Sequence, residues 1–416
     1  MEKAAFITIG DELLNGQVLD RNASYLGQRL TENGIKVTGI RSVPDEYDAI
    51  LEALEDLEGR VDLLLITGGL GPTDDDPTKD VLMEHFQVGK VRDEAIEKDL
   101  REYLAQRGRV VSERDLAQAD MPDGARIIRN PHGSAPAIRF ERKGTSTIAL
   151  PGVPHEMKAL VEERLIPSLL DEMGRPPFPH RSVVTAGIGE STLVMRIEDL
   201  VKSYEEKGVE FAYLASPGSV RIRMMVQSEG EEKAEQLLDD VVRDLKERIP
   251  EHYTGVGDES FEELISSFLR AHKRSVATAE SCTGGYMAHM LTSVAGASDL
   301  FPGSVVAYSD RVKSELLGVP EELLKERGAV SQEVVEGMAS GIRELTGSDI
   351  GLATSGIMGP SGGSEQKPVG MTWMGVSDGE GTLSECWYLG RDRSTNIEKA
   401  ARLALDLLRK KVQGFQ

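Results

Sequence analysis

The sequence predicts an α/β protein: a doubly wound N-terminal domain, a small α+β module, and a second α/β domain. Three observations predict it. The first third alternates short apolar runs with amphipathic patterns in a βαβαβ rhythm, which implies a parallel sheet covered by helices on both faces. A Pro-rich stretch, GRPPFPH at 174–180, interrupts that rhythm and reads as a linker. The last third then resumes the alternation of strands and helices. The boundaries that follow are 1–173, 174–255 and 256–416.

AAFITIG (4–10) reads as a buried strand, 21–34 as a helix stopped by Gly34, 35–43 as a strand, 45–57 as a helix and VDLLLITGG (61–69) as a strand. Helical patterns follow near 93–107 and 112–120, then strands at 135–142 and 145–152 and a long helix from His155 to about Met173. The middle module reads as strand, helix, a hairpin turned at Ser216-Pro217-Gly218, and a charged helix. Beyond it, strands are expected at 275–279, 303–308, 349–354 and 370–376 with helices between them.

Composition excludes several function classes. The formal charge is −22, and no Lys/Arg run offsets it, so neither nucleic acid nor an anionic membrane is an expected partner. The middle module carries ten Lys and Arg against fifteen Asp and Glu between 181 and 251. It also lacks the G-x-x-G loop that clamps a nucleic-acid backbone, and is read as a spacer or dimer contact. Two cysteines, Cys282 and Cys386, make no disulfide framework and suit a reducing compartment. No apolar run approaches the roughly 18 residues of a membrane span, and the N-terminus does not read as a signal peptide. A soluble cytoplasmic protein is the expectation.

Two Gly-rich junctions carry the candidate chemistry. ITGGLGPTDDDPT (66–78) follows a buried strand. Gly68, Gly69 and Gly71 let the backbone bend and approach a ligand, and the free N–H groups of such a loop cradle anions. Asp74, Asp75 and Asp76 would repel a phosphate unless a hard cation of the Mg²⁺ type intervenes. A similar turn, Gly10-Asp11-Glu12, follows the first strand. Both lie at carboxyl ends of strands, where doubly wound sheets bind ligands. The plainer alternative is that these glycines and aspartates only start helices. No Gly-Lys-Ser/Thr follows, so this is not a Walker loop.

The second junction is VATAESCTGGYMAHML (276–291). Ser281, Cys282 and Thr283 stand where a strand gives way to a helix, and Gly284 and Gly285 leave room for a substrate. The N–H groups of the helix start are expected to hold an oxyanion. A hydroxyl nucleophile needs a base. No histidine is an evident partner, which leaves Tyr308 and Lys313, past the end of the next strand. A third segment, ATSGIMGPSGGSEQKPVG (353–370), offers Thr354, Ser355 and several backbone amides suited to phosphate, to which Arg391 and Arg393 add charge. An attacking hydroxyl, an anion cradle and arginines suggest a nucleotide with a scissile acyl or amide group. Two alternatives stay open on these residues: Cys282 as the nucleophile, activated at the helix start, and a purely structural cap in which Cys282 packs as a small hydrophobe.

Taken together, GDELLNG, TGGLGPTDDDPT, NPHGSAPA, LPGVPHEM, ESCTGG, VVAYSDRVK, SGIMGPSGG and KPVG resemble the CinA family of competence/damage-inducible proteins over nearly the whole chain. The resemblance implies a molybdopterin-binding-like N-terminal domain, a small KH-type middle module and a C-terminal α/β amidohydrolase domain. It implies hydrolysis of nicotinamide mononucleotide to nicotinate mononucleotide and ammonia in the last domain, with no cofactor. In the first domain it implies a metal-dependent ADP-ribose pyrophosphatase, with a divalent metal and potassium as cofactors. It also implies a homodimer. Carried over residue by residue, the nucleophile falls on Ser281, assisted by Tyr308 and Lys313. Substrate contacts fall on Thr283, Gly284, Gly285, Thr354, Ser355, Gly356, Gly359, Gly362, Gly363, Arg391 and Arg393. In the first domain they fall on Gly68, Gly69, Gly71, Thr73 and Glu156, with the metal on Asp75, Asp76 and Asp11. Ser355 stands where the family usually has Thr, and keeps the hydroxyl. The alternative from another class is a non-catalytic molybdopterin-binding or competence-associated scaffold.

Overall fold

The computed structural model describes the chain except residues 72–75, 175, 177, 228–230 and 416, and the side chain of Glu231. It forms two compact units, Met1–Phe178 and Pro179–Gln416.

In the first unit the apolar runs become β1 (Lys3–Ile9), β2 (Lys36–Val43) and β3 (Leu63–Thr67). The short strands β4 (Lys90–Arg92) and β5 (Asp120–Pro122) pair with each other, and β6 (Arg126–Ile128), β7 (Ala137–Arg142) and β8 (Thr145–Leu150) complete the unit. The main sheet has the order β2-β1-β3-β8-β7-β6. Because side chains alternate across a strand, Ala5, Ile7, Leu64 and Ile66 enter one core while Ala4, Phe6, Leu63 and Leu65 enter the other. A central strand that is apolar on both faces therefore demands helices on both sides. The helix Arg21–Glu32 covers one face and Tyr47–Leu57 the other.

The strands β2, β1, β3 and β8 are parallel, as the βαβαβ rhythm implies, but the far edge of the sheet is antiparallel. β7 runs antiparallel to both β8 and β6. The reason is local: β7 and β8 are joined by Lys143 and Gly144, both at positive φ (53° and 80°), a two-residue hairpin turn that joins only antiparallel neighbours. The segment at 112–120 also forms only a single turn, Glu113–Leu116, before a 3₁₀ turn and β5.

The second unit holds two sheets. The strands β9 (His180–Ala186), β10 (Val209–Ser216), β11 (Ser219–Val226) and β12 (Tyr253–Val256) pair antiparallel in the order β10-β11-β9-β12. The anticipated hairpin turns at Pro217 and Gly218. Then come β13 (Val276–Glu280), β14 (Ser304–Val306), β15 (Ile350–Gly356), β16 (Met371–Asp378) and β17 (Gly381–Tyr388), ordered β14-β13-β15-β16-β17. The strands β14, β13 and β15 are parallel, and β16 and β17 are antiparallel. The two sheets share apolar packing: Val184 and Ala186 of β9 join the cluster built around Ile265, Leu352 and Leu405. The buried Arg409 guanidinium donates to the Glu251 carbonyl (2.8 Å), which ties the helix Arg393–Gln413 to the end of the smaller module. Among the described residues no helix is long and apolar enough to cross a membrane.

Candidate functional site

Three parallel strands end side by side in the second unit. Glu280 pairs with Val306 and with Thr354, so the segments that follow β13, β14 and β15 leave the same edge of the sheet. Ser281 and Cys282, Ala307 and Tyr308, and Ser355 and Gly356 are thereby brought to one end, where open α/β sheets present their ligand sites.

The turn after β13 is organised from beneath by Glu280, a residue that sequence reasoning missed. Its carboxylate is fully buried. It accepts from the Thr283 hydroxyl (2.7 Å) and from the amides of Gly285 (2.9 Å), Met287 (3.1 Å) and Ala288 (2.8 Å), and the Thr278 hydroxyl lies 3.3 Å away. This corrects the assignment of the helix-start amides to an oxyanion, because Glu280 already occupies those of Gly285, Met287 and Ala288. The amides of Thr283 and Gly284 have no acceptor among the described residues. Gly284 and Gly285 both lie at positive φ (62° and 101°), a path that disfavours any residue with a Cβ. The signal for Glu280 was present: an acidic residue ending an otherwise apolar strand.

The hydroxyls around it separate into two sets. The Thr283 hydroxyl also lies 2.7 Å from that of Thr354, and Ser355 donates to the Ala329 carbonyl (2.6 Å). All three residues are buried, so these hydroxyls point into the scaffold and brace the turn. Ser281 is half-buried. Its N–H donates to the Thr354 carbonyl (3.0 Å), and its hydroxyl has no partner among the described residues. Cys282 is buried, and burial pushes its thiol up to about 12, so it stays protonated and inert near neutral pH.

Lys313 is 1% exposed and donates to the Ala307 carbonyl at 2.9 Å and more weakly to that of Tyr308 at 3.5 Å. Burial holds its amine below the ordinary lysine range, against the opposing pull of Asp310, 3.8 Å away. Tyr308 is 63% exposed, and its hydroxyl accepts from Arg393 (3.1 Å). Neither Lys313 nor Tyr308 is hydrogen-bonded to the Ser281 hydroxyl. Arg393 also donates to the Gly359 carbonyl (3.1 Å), linking the segment after β14 to the Gly-rich loop. In that loop Gly359 and Gly363 stand against Val369, where a Cβ at either would fall 2.6 Å from a Val369 atom, and a Cβ on Gly356 would meet Thr372 and the Met371 carbonyl. Gly362 sits in the same loop at φ 92°. Arg391 is exposed and has no ion-pair partner among the described residues.

The first unit holds a cavity of about 540 Å³ at the carboxyl ends of β1, β3 and β8. Gly68, Gly69 and Gly71 line it, as do Asp76 and Glu156. Thr73 and Asp75 lie outside the described residues. Asp11 is exposed and gives its N–H to Asp45 (3.0 Å). Glu12, from the turn noted after the first strand, and Asp45, not anticipated from the sequence, also line the cavity. The Asp45 carboxyl is pushed up first by burial and further by the charges of Glu12, Asp11 and Asp76. Glu156 is buried, accepts from the Asn130 side chain (3.1 Å), and is also pushed up by burial. Lys79 donates to the Gln118 carbonyl (3.2 Å), and burial lowers its amine to about 8. Carboxylates crowded at one cavity suit a hard divalent cation. Among the described residues no three His, Cys, Asp or Glu side chains converge closely enough to hold one by themselves.

Comparison with known proteins matches three segments of the chain. Residues 5–171 match the family described as "Probable molybdopterin binding domain", residues 180–255 the "Damage-inducible protein CinA KH domain", and residues 258–412 the "CinA C-terminal domain". A CinA-like protein of Cytophaga hutchinsonii is 38% identical over 99% of this chain and 98% of its own. A CinA-like protein of Salinibacter ruber is 38% identical over 98% of this chain and 99% of its own. Among solved structures, competence damage-inducible protein A from Klebsiella pneumoniae is 36% identical, covering 37% of this chain and 98% of its own with a TM-score of 0.36. With all three segments matched in order and relatives aligned from end to end, the chain belongs to the CinA family.

Proposed function

We propose that the C-terminal domain hydrolyses the carboxamide of nicotinamide mononucleotide, giving nicotinate mononucleotide and ammonia. The Ser281 oxygen attacks the carboxamide carbon and forms a C–O bond. Its proton passes to Lys313 and on to the leaving nitrogen, so that the C–N bond breaks with release of NH₃. Water then adds to the acyl carbon, and the proton it gives up restores the Ser281 hydroxyl. Arg393, bonded to Tyr308, and Arg391 would supply positive charge for the phosphate. The observation that carries this reading is the contrast at the turn: Ser281 is the accessible nucleophile, Cys282 is buried as a thiol, and a desolvated lysine stands at the neighbouring strand end. Catalytic hydrogen bonds are often long without substrate and tighten in the complex, which accommodates the unpaired Ser281 hydroxyl.

The test is ammonia release from nicotinamide mononucleotide by the wild type, Ser281→Ala and Cys282→Ala. Loss in the first variant and retention in the second is expected. Full activity of Ser281→Ala would reject the assignment.

A second reading, carried by the cavity of the first unit, is metal-dependent cleavage of ADP-ribose to AMP and ribose 5-phosphate, with potassium as a further requirement. Asp76 and Asp45, with Asp75, would hold the divalent cation, which offsets charge on the pyrophosphate when bound. The amides of Gly69 and Gly71 would cradle the phosphates, and Glu156, held protonated more readily by burial, also lines the cavity. Turnover of neither nucleotide would leave the scaffold reading in place.

A further inference from the structure

We infer that Glu280 is a positioning residue for the chemistry at Ser281: its buried carboxylate fixes the 281–285 turn and takes up the amides of the following helix. This rests on the amidase reading above. A carboxylate withdrawn from water is costly unless its oxygens are well satisfied. Here Oε2 accepts from the Thr283 hydroxyl and the amides of Gly285 and Met287, and Oε1 from the Ala288 amide, with the Thr278 hydroxyl 3.3 Å from Oε1. Four donors from four residues converge on one side chain. The network extends further: the Thr283 hydroxyl lies 2.7 Å from that of Thr354, and the Thr278 hydroxyl donates to that of Ser304 at 2.7 Å. The carboxylate thus sits in a hydroxyl network that reaches all three parallel strands beneath the nucleophile.

The charge has a second effect. The helix Tyr286–Thr292 is short, and its exposed amide end would ordinarily attract an anion. Glu280 is already that anion. A substrate oxyanion beside Ser281 is left with the amides of Thr283 and Gly284, in the stretch that Glu280 holds in place through the Thr283 hydroxyl and the Gly285 amide. Altering Glu280 therefore disturbs donors that matter when charge develops on the substrate, while the phosphate contacts at Arg391 and Arg393 remain. The predicted signature is a loss in kcat with little change in KM.

The experiment compares Glu280→Gln, Glu280→Asp and Ser281→Ala in the full chain. It measures ammonia release and, by calorimetry, the affinity and stoichiometry of nicotinate mononucleotide. Glutamine is isosteric but presents an NH₂ to amides that need an acceptor. Its kcat should fall about 100-fold, the scale of losing one oxyanion donor, with KM and product stoichiometry near wild type. Unchanged stoichiometry separates mispositioning from a fall in the folded fraction. Aspartate keeps the charge but is one methylene shorter, and should retain more kcat than glutamine while staying below wild type. If Glu280→Gln does not fold, Glu280→Asp decides: wild-type kcat in that variant overturns the inference, and a kcat loss with intact product binding sustains it. Glu280→Gln at wild-type kcat, with Ser281→Ala inactive, overturns the inference and leaves the amidase reading standing. An active Ser281→Ala overturns both.

Discussion

Replacing Lys313 by Met separates the role of its amine from that of its stem. Methionine keeps most of the buried volume and removes the only group at that position able to carry a proton. Two structural effects oppose each other. The buried Ala307 carbonyl loses its donor at 2.9 Å, which costs about 1–3 kcal/mol. In return, the variant no longer buries an amine whose charged form is disfavoured by desolvation. The net change in stability should stay within about 2 kcal/mol, or a Tm shift of up to roughly 8 °C for a unit of this size. The chemical effect is larger. Loss of a positioned general base costs about 100- to 10,000-fold in rate, or about 2.7–5.4 kcal/mol on the barrier. The assay is ammonia release at saturating nicotinamide mononucleotide, paired with thermal unfolding. A Lys313→Met variant that unfolds near wild type yet turns over within tenfold of it would refute the reasoning. The pH dependence supplies a second check. The neutral amine takes the proton, so the wild-type rate should rise with pH through a lysine pKa that lies below the ordinary value. Between that lowered value and about 10.4, the unfolded chain binds more protons than the native one. Stability therefore rises with pH across this window, and the variant should lose that slope.

Two further predictions concern the first unit. Gly68→Ala places a Cβ 2.5 Å from the Ile9 carbonyl oxygen at φ 110°, combining backbone strain with overpacking. The first unit should lose about 2–5 kcal/mol, read as a fall of several degrees in its unfolding temperature, and a change under about 1 kcal/mol would contradict the close approach of β1 and β3. Asp76→Asn, or removal of divalent metal with a chelator, should abolish AMP release from ADP-ribose while ammonia release from nicotinamide mononucleotide continues. Loss of both activities together would argue against two independent sites.

Much of the architecture was legible because it is local. Apolar runs such as LLLIT at 63–67, buried along their whole length, announce a strand that must be covered on both faces. Gly284 and Gly285 mark a turn that other residues resist. The antiparallel edge at β7 was missed although its signal, Lys143-Gly144, is a two-residue turn readable from the sequence. The candidate nucleophile was only partly legible. Ser281 and Cys282 are neighbours with comparable sequence credentials, and the residues themselves left both open until the family resemblance favoured serine.

The sequence by itself determined the order of strands and helices, the Gly-rich junctions at their ends, and the acidic composition, because each depends on residues close together in the chain. Only the tertiary structure decided which groups are withdrawn from water and what satisfies them there. Burial silenced Cys282 and depressed Lys313, and brought Asp45 beside Asp11 and Asp76 across more than one strand connection. It also set a carboxylate at the end of β13 against four donors, one of them linked in turn to β15. Solvent exclusion and electrostatic coupling are properties of packed surfaces, and they arise only when segments distant in the chain meet.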